Sequence, residues 1–214
     1  MILILTGAPG AGKGTQADLL ADRDGFRKIS TGDALRNQIK KGTEIGLKAS
    51  GYMSAGKLVP DDILLNVLQA EMDAVNGQKI LLDGYPRNVN QAEALNKICP
   101  NGAVAGVVHL DVAREALISR LSGRRVCSQC GSSFHLTLNP PKTEGICDRC
   151  GGSLTQRPDD SLEKVAIRLD VYESETKPVL EFYKVRNLYH KVDGNQGTED
   201  VYRQVHAHVV NFAE

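Results

Sequence analysis

Neither sign of charge prevails in this chain of 214 residues: 26 lysines and arginines balance 26 aspartates and glutamates, for a formal net charge of zero. No bulk field draws it to nucleic acid or to an anionic membrane surface, so the basic residues that matter must be locally arranged. No apolar run approaches the roughly 20 residues of a membrane span, and the short apolar start lacks the basic flank of a secretion signal. There is no sequence repeat and no low-complexity tail. Cysteines number only five, four of them in two tight pairs, which is an odd count for a secreted disulfide framework and fits metal binding in a reducing compartment. What remains is a chain expected in the cytoplasm, with 41% hydrophobic residues and long enough for one sizeable core with small insertions.

What is present starts with Gly7 to Thr15, Gly-Ala-Pro-Gly-Ala-Gly-Lys-Gly-Thr. The stretch follows an apolar run, Met1 to Leu5, and opens into an amphipathic helical pattern, the context a phosphate-binding loop requires. Glycines 7, 10, 12 and 14 let the backbone turn sharply and bring successive N–H groups close to an anion. The helix N-terminus adds its positive end, and Lys13 supplies a cation for the outer phosphates of a nucleoside triphosphate. The strict pattern has Ser or Thr directly after the lysine to ligate magnesium; here Gly14 stands there and Thr15 one place later. That departure points to a metal held mainly by phosphates and water, away from the switch GTPases.

Beyond the loop, strand and helix signals alternate. Apolar runs at Met1–Leu5, Phe26–Ile29, Ile80–Leu82, Val104–Leu110 and Leu188–Val192 predict five strands. Helical patterns fall at Lys13–Ala21, Asp61–Val75, Asn88–Ile98 and Arg114–Leu121, then along one long helix from about Asp160 to Tyr183, and near Thr198–Phe212. Strands apolar throughout and separated by helices predict an α/β fold with a five-stranded parallel sheet covered on both faces. Two stretches break the rhythm. Ser30–Val59 carries short helical patterns punctuated by glycine and reads as a small helical insertion. Val126–Arg157, rich in Cys, Gly, Ser and Pro, reads as a small β-rich module fixed by a metal.

In that module Cys127-x-x-Cys130 and Cys147-x-x-Cys150 each precede a glycine. Four thiolates at this spacing suit tetrahedral Zn²⁺ in a closed, structural site. Such a metal would fold a module too small to hold itself together by burial. Disulfides and four-thiolate iron are the alternatives. Zinc knuckles also occur in nucleic-acid-dependent ATPases, but the neutral charge and the single aromatic residue of the module, Phe134, argue against that reading. Cys99 reads as a small apolar filler.

Asp83 ends the third apolar run, at the edge where parallel-sheet sites form, and a carboxylate there can hold Mg²⁺ directly or through water, with Arg87 reaching a second anion. Arg120, Arg124 and Arg125 precede the cysteine module, Arg157 follows it, and Arg168 lies eleven positions further on. Arginines flanking an insertion are suited to swing onto phosphates when it closes. The five histidines, His109, His135, His190, His206 and His208, show no ligand spacing, and His109 reads as a satisfied core residue.

Taken in order, Gly7–Thr15, Ser-Thr-Gly-Asp at 30–33, Leu-Asp-Gly-Tyr-Pro-Arg at 82–87, Gly-Arg-Arg at 123–125 and Arg157 with Asp159-Asp160 closely resemble the adenylate kinase family, in the long form whose lid carries a four-cysteine zinc site. The resemblance runs from residue 1 to about 193. It implies a core at 1–29, 60–122 and 161–214, an AMP-binding insertion at 30–59 and a zinc-binding lid at 123–160. Carried over by position, it implies AMP contacts at Thr31, Arg36, Lys57, Val59, Gly84, Arg87, Gln91, Arg157 and Arg168. ATP contacts would come from Gly10, Ala11, Gly12, Lys13, Gly14, Thr15, Arg120, Arg124 and Gln196. Lys13 with Arg87, Arg124, Arg157 and Arg168 would surround the moving phosphoryl group, and Asp33 and Asp83 would hold magnesium through water. Tyr85 stands where some members have Phe, and the run Asp193–Gln196 varies among members. The implied reaction is transfer of the γ-phosphoryl of Mg·ATP to AMP, giving two ADP, by a monomer with no nucleic-acid or membrane partner. A related kinase with another acceptor or donor, for UMP/CMP or for GTP and AMP, is the alternative; by the resemblance Thr31 and Gln91 favour adenine.

Overall fold

In the computed structural model, which describes residues 1–75, 79–99 and 103–212, the first apolar run is the centre of the main sheet. Strand β1 (Ile2–Gly7) is buried along its whole length. It pairs in parallel with β3 (Ile80–Asp83) on one side and β4 (Val104–Asp111) on the other. Strands β2 (Arg27–Ser30) and β8 (Tyr189–Asp193) complete the five-stranded order β2-β3-β1-β4-β8, again in parallel pairing.

Parallel neighbours need crossovers, and helices supply them on both faces. Side chains alternate along β1, so Ile2 and Ile4 join the core facing helices α4 (Asp61–Asp73) and α5 (Val89–Ile98). Leu3 and Leu5 join the one beneath α1 (Lys13–Asp24), α6 (Arg114–Ser122) and α9 (Thr198–Asn211). All four are 4% exposed or less, so each contributes on the order of 2 kcal/mol of burial.

The segment after β2 is a pair of helices, α2 (Thr31–Lys40) and α3 (Glu44–Ser54). Each begins where a hydroxyl is available. Ser30 Oγ accepts the Asp33 N–H at 3.3 Å, and Thr43 Oγ1 accepts the Gly46 N–H at 3.1 Å. The cysteine-bearing segment holds a separate antiparallel sheet, β6-β5-β7, made of β5 (Arg124–Cys127), β6 (Ser133–His135) and β7 (Leu154–Thr155).

The long helix expected over 160–183 differs in one respect. It runs as α7 (Leu162–Val171), a single stretch of π-helix at Tyr172–Thr176, and α8 (Pro178–Lys184). Pro178 brings no N–H for the preceding turn, and the chain there widens by a residue. Helical periodicity alone did not register that widening. Among the described residues, no helix is long and apolar enough to cross a membrane.

Candidate active site

The loop between β1 and α1 turns at Gly10, whose φ is 87°. A Cβ there would meet Leu121 Cγ at 2.9 Å and the Leu117 carbonyl at 3.1 Å, so only glycine lets the loop lie this close to α6. Lys13 opens α1 and folds back over the loop, its Nζ donating to the carbonyls of Gly7 at 2.7 Å and Ala8 at 3.0 Å. Burial pulls the Lys13 pKa down to about 8; Asp83 opposes this, while Arg87, Arg168 and Arg124 add to it.

This loop forms one wall of a cavity of about 730 Å³. Gly10, Ala11, Gly12, Lys13, Gly14 and Thr15 line it, with Asp33 and Arg36 of α2, Lys57, and Asp83, Gly84 and Arg87 after β3. Arg120, Arg124, Arg157 and Arg168 line the same cavity, and Gln196 does so just before α9. Thr31 and Val59 line a small adjoining apolar recess with Leu35, Met53 and Leu64. Sequence reasoning passed over Met53 and Leu64, which carry no signal beyond ordinary helical periodicity. It also assigned nothing to Phe134, His135 and Leu138, which present the lid's inner face to the same cavity.

Two residues near the cavity are engaged within the protein. Gln91 lines neither cavity: it is 1% exposed, its Oε1 accepts the Arg87 N–H at 2.7 Å, and its Nε2 donates to Asp61 Oδ1 at 2.6 Å. One lone pair and one N–H of the amide thus tie the Arg87 backbone to Asp61, and a second N–H remains on Nε2. Arg125 also leaves the cavity, its Nη1 donating to the carbonyls of Ser122 and Arg124.

The cavity's cations are held by three carboxylates. Asp160, with no exposed side-chain surface, accepts a bidentate pair from Arg124 Nε and Nη2 at 2.8 and 2.6 Å, and Arg168 Nη1 at 2.8 Å. Asp159 Oδ2 lies 3.0 Å from Arg168 Nη1. Asp33 pairs with Arg36, and Arg157 of the lid approaches it to 3.9 Å. Burial works against ionising Asp33 and Asp159, yet the surrounding arginines outweigh it and hold both carboxyls below their ordinary range. Asp83 lies by the loop, its Oδ2 3.8 Å from where a Cβ on Gly14 would stand. Arg157 keeps a buried Nε without a partner among the described residues, and burial, with Arg36 and Arg124 adding repulsion, lowers its pKa to about 9. An excess of desolvated cation around one cavity is a site prepared for polyanions.

The Lys13 shift predicts a pH dependence. The free protein loses the ammonium as pH rises through about 8, so kcat/KM for the triphosphate should fall above that pH. Bound phosphates favour the ammonium and raise its pKa, so kcat itself should hold to higher pH. Initial rates from pH 6.5 to 9.5 check this, and coincident limbs for kcat and kcat/KM would contradict it.

In the lid the four Sγ atoms of Cys127, Cys130, Cys147 and Cys150 all lie within 4.8 Å of one another. The Cys127–Cys150 and Cys130–Cys147 sulfurs are 3.4 and 3.6 Å apart, too far for disulfides and close to the edge of a tetrahedron with bonds of about 2.3 Å. Cys127 and Cys147 are buried and Cys130 and Cys150 exposed. The donor set fits zinc.

The parallel sheet, the phosphate loop at its edge and the cationic cavity beside it define a phosphotransferase of the P-loop class. The model of the adenylate kinase family matches residues 5–188. The chain is 48% identical over 208 residues to an adenylate kinase of Carboxydothermus hydrogenoformans, covering 96% of this chain and 97% of that one. It is 47% identical over 216 residues to one of Methanocella arvoryzae, covering 100% of both, and 45% identical to one of a Geobacillus species, covering 96% of each. The chain belongs to the adenylate kinase family.

Proposed function

We propose that the protein reversibly transfers the γ-phosphoryl of Mg·ATP to AMP, giving two ADP. The observation that carries the reading is the convergence on one cavity of cations from separate segments: Lys13 from the loop, Arg87 from the end of β3, and Arg124, Arg157 and Arg168 from the lid and its base. An AMP phosphate oxygen is already an adequate nucleophile. The chain therefore has to bring two polyanions into line, neutralise their repulsion and keep water out.

Residues 10–15 cradle the ATP phosphates, with Arg120, Arg124 and Gln196 on the same side. Thr31, Arg36, Lys57, Val59, Gly84 and Arg87 receive AMP, its base against the recess beside Met53. Arg157 and Arg168 reach AMP and the moving group together. Asp83 and Asp33 meet the water shell of the magnesium that arrives with ATP. Segment 30–59 covers the acceptor and segment 123–160 the donor, moving against the core at 1–29, 60–122 and 161–214. The protein acts as a monomer, and a four-thiol site is chemistry of a reducing compartment, which supports the cytoplasm.

A coupled assay across acceptors and donors tests the assignment. AMP with ATP should exceed UMP, CMP and GTP substitutions by about a hundredfold or more in kcat/KM. UMP or CMP as the best acceptor, or GTP as the best donor, would replace the reading with a related kinase.

Cys127, Cys130, Cys147 and Cys150 would hold one Zn²⁺, which supplies folding free energy to the lid and no chemistry to the transfer. Elemental analysis should give about one zinc per chain, and Cys147→Ser should lower the melting temperature while part of the activity persists at 20 °C. Immediate and complete loss of turnover on metal removal, with the core still folded by circular dichroism, would give the metal a role in closure or catalysis.

A further inference from the structure

The helix that carries Arg168 changes register just beyond it, and a buried histidine grips the change. In the turn Tyr172–Thr176 the Lys177 N–H reaches the Tyr172 carbonyl, five residues back, at 2.9 Å. One residue of slip at such a turn rotates the preceding helix by about 100° about its axis. Arg168 stands four residues before Tyr172, so the two share a face, and both line the cavity.

On the sheet, His109 of β4 is 7% exposed. Its Nε2 lies 2.9 Å from the Tyr172 hydroxyl and its Nδ1 3.1 Å from the Tyr189 hydroxyl of β8. One ring nitrogen donates and the other accepts. Burial above all pushes the ring's pKa down to about 4; Asp111 opposes this, and Lys13, Lys191 and Lys184 reinforce it, so the ring is neutral at working pH. For packing alone, an apolar side chain would fill this seat without desolvating an imidazole.

We propose that His109 is a positioning residue for phosphoryl transfer: through the Tyr172 hydroxyl it fixes the phase of the π-turn and with it the aim of Arg168 into the cavity. The inference rests on the reading above that Arg168 meets the moving phosphoryl group. His109 itself touches no substrate, and its effect passes through two side chains on one helix face.

Two substitutions of like polarity and different reach separate positioning from packing. In His109→Gln the terminal amide reaches the place of Nε2 and can still meet Tyr172; in His109→Asn it reaches only the place of Nδ1, toward Tyr189. His109→Asn should lower kcat about tenfold with both KM values within about twofold, while His109→Gln restores kcat to within about threefold of the parent. Adding His109→Asn to Arg168→Ala should cost little beyond Arg168→Ala alone. Equal kcat for Asn and Gln, or an undiminished loss on the Arg168→Ala background, would overturn the inference. Should His109→Asn fail to fold, Tyr172→Phe decides, since it deletes only the hydroxyl: a loss of about tenfold supports the link and full activity overturns it. If Arg168→Ala loses activity while Tyr172→Phe and His109→Asn do not, the inference alone fails. If Arg168→Ala keeps full kcat, the role given to Arg168 fails, and the inference with it.

Discussion

Lys13→Ala should lower kcat by about a thousandfold and leave the melting temperature within about 3 °C of the parent protein. The rate loss follows from where the ammonium sits. Folded back over the loop on the carbonyls of Gly7 and Ala8, it is desolvated and keeps its third N–H and its charge for the phosphates whose charge shifts during transfer. The small thermal effect follows from the sign of its pKa shift. With the pKa at about 8 in the fold against 10.5 unfolded, the unfolded chain binds more protons between those values, and stability rises with pH there. At pH 7 the charged lysine is thus a cost to the fold, and its removal offsets the two lost hydrogen bonds. Initial rates at saturating ATP and AMP, with a thermal melt at pH 7, check both halves. A kcat within about threefold of the parent would sink the assignment of the loop.

The features that sequence reasoning could reach are those whose cause is local. The strand Ile2–Gly7 announces itself as an apolar run because it is buried on both faces, and the glycines of 7–14 because a backbone-made anion site has few other solutions. The paired cysteines read equally well, since two of the ligand spacings lie within one knuckle each. What stayed hidden depends on partners distant in the chain. The tie that Gln91 makes between Asp61 and the Arg87 backbone includes a contact across 30 positions that no local pattern encodes. The π-turn at Tyr172–Thr176 had a local signal in Pro178, but periodicity over the whole helix outweighed it. Met53 lines the acceptor recess only because α3 folds back on α2. Asp160 appeared as part of a motif, whereas its place as joint counterion of two arginines needed coordinates.

That place makes Asp160→Ala the second large effect: a melting temperature lower by roughly 6–20 °C and a kcat reduced about a hundredfold. Arg124 begins the lid and Arg168 belongs to the helix beneath it, and the one carboxylate binds both. The two arginine side chains are 18% and 16% exposed, so removing their shared anion leaves Arg124 without its described counterion and Arg168 with Asp159 alone, at a cost of about 3–5 kcal/mol. Asp160 could instead be a competitor that occupies the arginines until phosphate arrives, in which case its loss would tighten ATP binding. The hydrogen bonds decide against this. Asp160 uses Nε and Nη2 of Arg124 and Nη1 of Arg168, which leaves Nη1 of the first and Nε and Nη2 of the second free for an anion, among the described residues. The carboxylate therefore aims both forks without filling them. Asp160→Asn, which keeps the shape and part of the bonding but not the charge, should fall between the parent and Asp160→Ala in both melting temperature and kcat. A lower KM for ATP with kcat intact in either variant would show that the carboxylate competes with the phosphates and does not position their partners.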